Sequence, residues 1–178
     1  MSNAPGSRQR DQRADLNAFW LEVLVECPTC EACAVVRPHP QIDAAEATWH
    51  DRTFTPRRLV CGACGLVREW PLEGSSPTVD VARDGRDPWF GLPLWLSAPC
   101  CGSVLWAYNT DHLDVIAAWV GAQHRERGST ATPSGDPAAE HAPSTMLERL
   151  PAWITAAKHR DEVLKTTTRL RATAPMAP

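Results

Sequence analysis

The sequence predicts an α+β fold: a small antiparallel sheet stapled by four cysteines, an additional β-hairpin, and helices at the C-terminal end. Three observations carry this. Cys27-Pro28-Thr29-Cys30 and Cys61-Gly62-Ala63-Cys64-Gly65 are cysteine pairs of one spacing, each entered and left by short apolar runs. Two apolar runs between residues 89 and 108 are broken by Ala98-Pro99-Cys100-Cys101-Gly102. Beyond Asn109, apolar residues recur at helical spacing.

Residues 1–16 are polar, basic and rich in small residues, the composition of a disordered segment. Residues 17–127 are expected to form the main body. Phe19 to Glu26 reads as a strand entering the first cysteine pair, and Ala34 to Arg37 as one leaving it. Pro38 to Pro56 is a polar insertion. Arg57 to Val60 enters the second pair, Leu66 to Trp70 leaves it, and Pro71 stops it. Strand, knuckle, strand on both sides is the plan of a zinc ribbon.

Residues 73–88 carry the Gly, Ser, Pro and Asp of a loop. Trp89 to Leu96 and Ser103 to Tyr108 read as a hairpin, apolar on both faces and so buried on both. Asn109 or Thr110 can cap a helix with Asp111 and Asp114 in its acidic first turn and Leu113, Ile116, Ala117 and Val120 inward, running to about Arg127. Residues 128–143 form a Ser/Thr/Pro/Ala linker. The C-terminal segment, 144–172, opens on a capping box at Thr145 to Glu148. Pro151 starts a second helical piece, and Asp161 caps a last helix with Val163, Leu164 and Leu170 inward.

Two cysteines separated by two residues can face one ion while backbone N–H groups point at the sulfurs. Cys27, Cys30, Cys61 and Cys64 thus supply four thiolates, the ligand set of one closed, structural Zn2+ site. Gly65 permits the positive φ such a turn adopts, whereas Glu31 stands at the matching place in the first knuckle. Cys33 offers an alternative pairing with Cys30, and a rubredoxin-like iron site is the rival metal reading. Cys33, Cys100, Cys101 and His112 are the members of a conceivable second site. The bland reading of the vicinal pair packs one thiol inward and leaves the other at the turn.

The chain has 178 residues, seven cysteines, eight tryptophans and a net charge of −3, so no overall field advertises nucleic acid. No run approaches the roughly 18 apolar residues of a membrane span. No signal-peptide pattern opens the sequence, so a cytoplasmic, reducing setting is expected, where paired cysteines read as metal ligands. From Ser144 to Arg171, six basic residues face three acidic ones, a balance of +3.

The ribbon, from Cys27-Pro-Thr-Cys30 to Arg58-Leu-Val-Cys61-Gly-Ala-Cys64-Gly65, resembles those of bacterial TFIIB-type zinc-ribbon proteins. Trp89 to Leu96, Pro99-Cys-Cys-Gly102, Leu105 to Asn109, Leu150 to Ile154 and Arg160 to Lys165 are similar to one group of proteins with that label. The resemblance spans most of residues 19–172 and implies zinc. It does not imply transcription, because ribbons serve many roles.

No phosphate-binding glycine loop, nucleophile elbow or open metal pattern is present. The function expected is therefore a non-enzymatic zinc-ribbon module binding a protein or nucleic-acid partner, with no small-molecule substrate. Candidate phosphate contacts are Arg57, Arg58 and Arg68 on the ribbon and Lys158, Arg160, Lys165 and Arg169 in the tail. The apolar stripe from Leu150 to Ala157 is the candidate for docking in a protein groove. A thiol or redox protein using Cys100 and Cys101 is the alternative.

Overall fold

In the computed structural model, residues 8–10, 16–40, 54–70, 85–122, 124–126 and 150–175 are described. The architecture is α+β, with antiparallel sheets and C-terminal helices around a four-cysteine cluster. The capping box, the linker 128–143 and most of the polar insertion lie outside the described residues.

Four strands, β2 (Val23–Glu26), β3 (Cys33–Pro38), β4 (Arg57–Val60) and β5 (Val67–Glu69), form one antiparallel sheet in sequence order. Val23 pairs with Val36, and Val36 with Leu59, so these side chains share a face. That face, with Val25 and Ala34, is fully buried against Phe19, Trp20, Trp70, Trp89, Leu94, Tyr108 and Trp119. The tryptophans complete a core that a sheet of short strands could not build alone. On the opposite face, Leu24, Cys33 and Val35 adjoin a second core.

The expected strand from Phe19 begins only at Val23. Leu16–Leu21 is a 3-10 helix. The Asn109 side chain ties that turn by donating to the carbonyls of Phe19 (3.0 Å) and Glu22 (2.8 Å). Phe19 and Trp20 are both turned inward as a result, which an extended chain would forbid.

The hairpin is also displaced from its expected position. Its strands are β6 (Leu96–Cys100) and β7 (Ser103–Ala107), joined at Cys101-Gly102. Trp89 to Trp95 is irregular because Asp87, fully buried, accepts the N–H groups of Trp89 (3.0 Å), Phe90 (2.8 Å) and Leu92 (2.6 Å). A loop folded around a carboxylate satisfies its backbone without a ladder. One hairpin face is buried, through Leu96, Cys100, Leu105 and Ala107; the other is covered only in part, with Trp106 packed on the first core and Val104 52% exposed.

Helix α1 (Thr110–Gly121) begins as expected: Asn109 is the N-cap, accepting the His112 N–H at 2.9 Å. It stops short of the expected Arg127. His124–Glu126 is instead a strand, β8, parallel to β1 (Arg8–Arg10), a segment expected to be disordered. The remainder of 1–15 lies outside the described residues.

Two helices follow, α2 (Ala152–Thr155) and α3 (Arg160–Thr173), separated by a 3-10 turn at Ala157–His159. His159, not Asp161, is the N-cap of α3, and Asp161 and Glu162 lie in its first turn. Val163 and Leu170 point inward, and Leu164 is half-buried beside them. The C-terminal segment docks on the rest of the chain: α3 packs on α1 and β6. Trp95 Nε1 donates to the Thr173 carbonyl at 2.9 Å, and Arg171 pairs with Asp114. Ile154, the centre of the stripe expected to dock in a partner, is 5% exposed and belongs to this chain's own core.

Candidate metal centre

The two knuckles are built alike. Glu31 N–H donates to Cys27 O at 2.9 Å, and Gly65 N–H to Cys61 O at 3.0 Å. Cys27 N–H then donates to Ala32 O, and Cys61 N–H to Leu66 O, both at 2.9 Å. The residue after each second cysteine turns left-handed, at φ 59 for Glu31 and φ 73 for Gly65. Glycine adopts this freely, whereas Glu31 carries a Cβ there, so the first knuckle holds backbone strain of about 1–2 kcal/mol.

The turns bring Cys27, Cys30, Cys61 and Cys64 together, with all four sulfurs within 4.8 Å of one another. Cys27 Sγ lies 3.7 Å from Cys64 Sγ, and Cys30 Sγ lies 3.6 Å from Cys61 Sγ. A regular tetrahedron with metal–sulfur bonds of about 2.3 Å has sulfur–sulfur edges of about 3.8 Å. The cluster therefore has room for one ion at its centre and is far too open for disulfides, whose sulfurs lie about 2.05 Å apart. Cys27 and Cys61 are buried, while Cys30 and Cys64 reach the surface.

Backbone donors prepare the sulfurs for negative charge. Thr29 N–H approaches Cys27 Sγ at 3.5 Å. Burial opposes ionisation of Cys27, but N–H groups of Thr29 and Cys30 and the neighbouring thiols bring it down to about 6. At Cys30 the Ala32 N–H acts in the same direction, yet the crowding of Cys64, Cys61 and Cys27 pushes the thiol up to about 12. One thiolate forms easily, whereas Cys30 and Cys64 resist, because like charges converge. A divalent cation at the centre removes that conflict.

Cys33 stays outside the cluster. Its thiol faces the Ala34 carbonyl at 3.9 Å, and burial, with smaller effects of Cys61 and Glu22, raises it to about 11. The second site conceived from Cys33, Cys100, Cys101 and His112 is not assembled among the described residues. His112 is 2% exposed, stacks on Phe19 with ring centroids 4.7 Å apart, and accepts the Tyr108 N–H on Nδ1 at 3.2 Å. Burial lowers its pKa to about 3, from an ordinary 6.5. The folded state thus holds it neutral where the unfolded chain binds a proton. Stability supplied by neutral His112 is full above about pH 6.5 and is lost as pH falls towards 3. His112→Gln is expected to flatten the acid limb of a plot of Tm against pH in that window. An unchanged acid limb would remove His112 from the explanation.

The predicted basic contacts do not converge on one surface. Arg57 is the clearest correction: it is fully buried, its guanidinium 3.9 Å from the Trp89 ring centroid and its Nη1 donating to Trp20 O at 2.6 Å. It lies on the Leu59 face of the sheet and cannot touch phosphate from there. Arg58 lies on the other face, 2.6 Å from Glu69. Arg160 donates to the Gly121 carbonyl. Arg68, Lys158, Lys165 and Arg169 are exposed. Of these, Lys165 and Arg169 are neighbours along α3.

No protein-family model, curated protein or solved structure matches this chain. No helix among the described residues is long and apolar enough to cross a membrane.

Proposed function

We propose that this chain is a non-enzymatic zinc-ribbon module, in which one structural Zn2+ on Cys27, Cys30, Cys61 and Cys64 stiffens a sheet that binds a protein partner. The closed set of four sulfurs carries this reading. A fully thiolate-ligated ion has no coordination position left for water or substrate, so it acts on structure rather than on a reaction. The resemblance to bacterial TFIIB-type zinc ribbons supports the same metal, and the seven free cysteines suit a reducing cytoplasm. Iron fills the same tetrahedron, but a ferric tetrathiolate absorbs visible light and zinc does not. A coloured preparation with one iron per chain would overturn the zinc assignment.

The far part of the second sheet face supports the choice of partner. Beyond Val35, which adjoins the second core, Val60 and Val67 continue one cross-strand row, with Arg37, Arg58 and Glu69 in the next. Val67 is 55% exposed. An apolar row beside a row of both charges fits a protein surface better than a phosphate backbone.

A salt series of binding to random-sequence DNA and RNA tests the choice. Neutralising several phosphates would give a steep, log-linear loss of affinity with salt. Fluorescence anisotropy is expected to show no binding at low salt. A steep salt slope that shrinks in Lys165→Ala and Arg169→Ala would replace the protein partner by nucleic acid.

A further inference from the structure

Cys100 and Cys101 take no part in the metal cluster, yet their thiols converge. Cys100 pairs with Ser103 at the end of the hairpin, leaving Cys101 and Gly102 as a two-residue turn. Both adopt positive φ, 53 and 77, the type I′ geometry whose twist suits a hairpin. Gly102 fits its place. The first place ordinarily takes Asn, Asp or Gly, and a cysteine there is held in a disfavoured conformation. The bend has a chemical consequence. Neighbouring side chains on a strand point to opposite faces, but the left-handed residue turns its side chain back, and the two sulfurs lie 3.8 Å apart. Cys101 is half-buried and reachable, and Cys100 lies behind it at 3% exposure.

We propose that Cys100 and Cys101 form a reversible oxidation site for hydroperoxides, with Cys101 as the attacking thiol and Cys100 as the resolving one. The Cys101 sulfur, giving up its proton, attacks one oxygen of hydrogen peroxide. The O–O bond breaks, the proton joins the departing oxygen as water, and Cys101 becomes a sulfenic acid. The Cys100 sulfur then attacks the Cys101 sulfur, the S–O bond breaks, and a second water leaves with the Cys100 proton. Two thiols and one peroxide give one disulfide and two waters, each sulfur losing one electron.

The product is a strained bond. Adjacent Cα atoms are about 3.8 Å apart across a trans peptide, below the usual disulfide span of about 4.4–6.8 Å. Strained disulfides have higher reduction potentials and are the labile ones, so the bond is readily reversed by a thiol reductant. Burial and the Cys100 thiol raise the Cys101 pKa, Glu162 adding to the rise and Lys158 opposing it. Oxidation is accordingly slow at neutral pH and quickens as pH rises.

Mass spectrometry of the full, metal-loaded chain after hydrogen peroxide treatment tests the proposal. A tryptic peptide bounded by Arg86 and Arg125 holds Cys100 and Cys101 and no other cysteine. It is expected to lose two hydrogen masses before the metal is released, and to regain them with dithiothreitol. Three results would overturn the proposal: Cys101 passing to sulfinic acid with Cys100 still free, a bond from either residue to Cys33, or metal release while this peptide stays reduced. Cys101→Asn supplies the second arm, because Asn suits the turn and preserves the fold. Cys100 oxidation is expected to slow at least tenfold in this variant. Oxidation at the wild-type rate would remove Cys101 from the attacking role.

Discussion

Cys61→Ser is expected to abolish metal binding and unfold the ribbon, with loss of the near-ultraviolet circular dichroism of the tryptophans. Cys61 lies at the meeting point of the metal cluster and the main core, 1% exposed and packed with Val36, Leu59 and the tryptophans. A four-thiolate zinc site contributes about 10–16 kcal/mol of apparent free energy at neutral pH. A whole domain is typically stable by about 5–15 kcal/mol, so the loss is comparable with all the stability there is. Stripping metal from the wild-type chain with a strong chelator should reproduce the effect, and Cys33→Ser should not, because Cys33 lies outside the cluster. A metal-free chain that still unfolds cooperatively, with intact tryptophan signals, would show that the ion is not what holds the sheet.

The second large effect is expected at Arg57. Truncation to Ala removes a fully buried side chain, its contact with the Trp89 ring and the hydrogen bond to the Trp20 carbonyl. Orphaning a buried carbonyl costs about 1–3 kcal/mol, and the lost cation–π contact and cavity add to it, for about 3–5 kcal/mol together. Arg57→Lys is expected to recover little, since an ammonium lacks the planar group that lies over the ring while reaching the carbonyl. Denaturant unfolding of wild type and variants at one metal occupancy reads the difference. A loss below about 1 kcal/mol, the scale of an exposed substitution, would contradict the buried placement.

Arg57 also shows what could and could not be read from the chain. Its burial was legible in part: Arg57 alternates with Leu59, so a strand that buries one buries the other. In β4 the alternation of Arg57 with Leu59 decides burial, and charge type does not. The four cysteines, the left-handed place of Gly65 and the Asn109 cap were readable because each is a local device of fixed spacing. Glu31 departs from the glycine that suits this place, and it adopts the same backbone geometry at the cost of strain.

The displacement of the hairpin has a local cause in the sequence. Asp87, two residues before Trp89, can gather backbone N–H groups and so compete with a strand, and Gly91 takes φ 66 within that loop. The docking of α3 had none. Val163 and Leu170 mark an inward face, but only the folded hairpin supplies the surface they meet. Likewise the parallel pairing of β1 with β8 joins segments more than a hundred residues apart, and three-residue strands leave no periodicity to detect.

The docked α3 gives the two cores different schedules on the ribosome. Every metal ligand has been translated by residue 64, whereas the hairpin core is not covered until Val163 and Leu170 emerge. A nascent chain whose four cysteines take up an ion could therefore do so about a hundred residues before it can finish burying Leu96 and Leu105. In that interval the half-made protein has its four-cysteine sheet in place and trails an apolar hairpin, the stage at which a chaperone has most to shield.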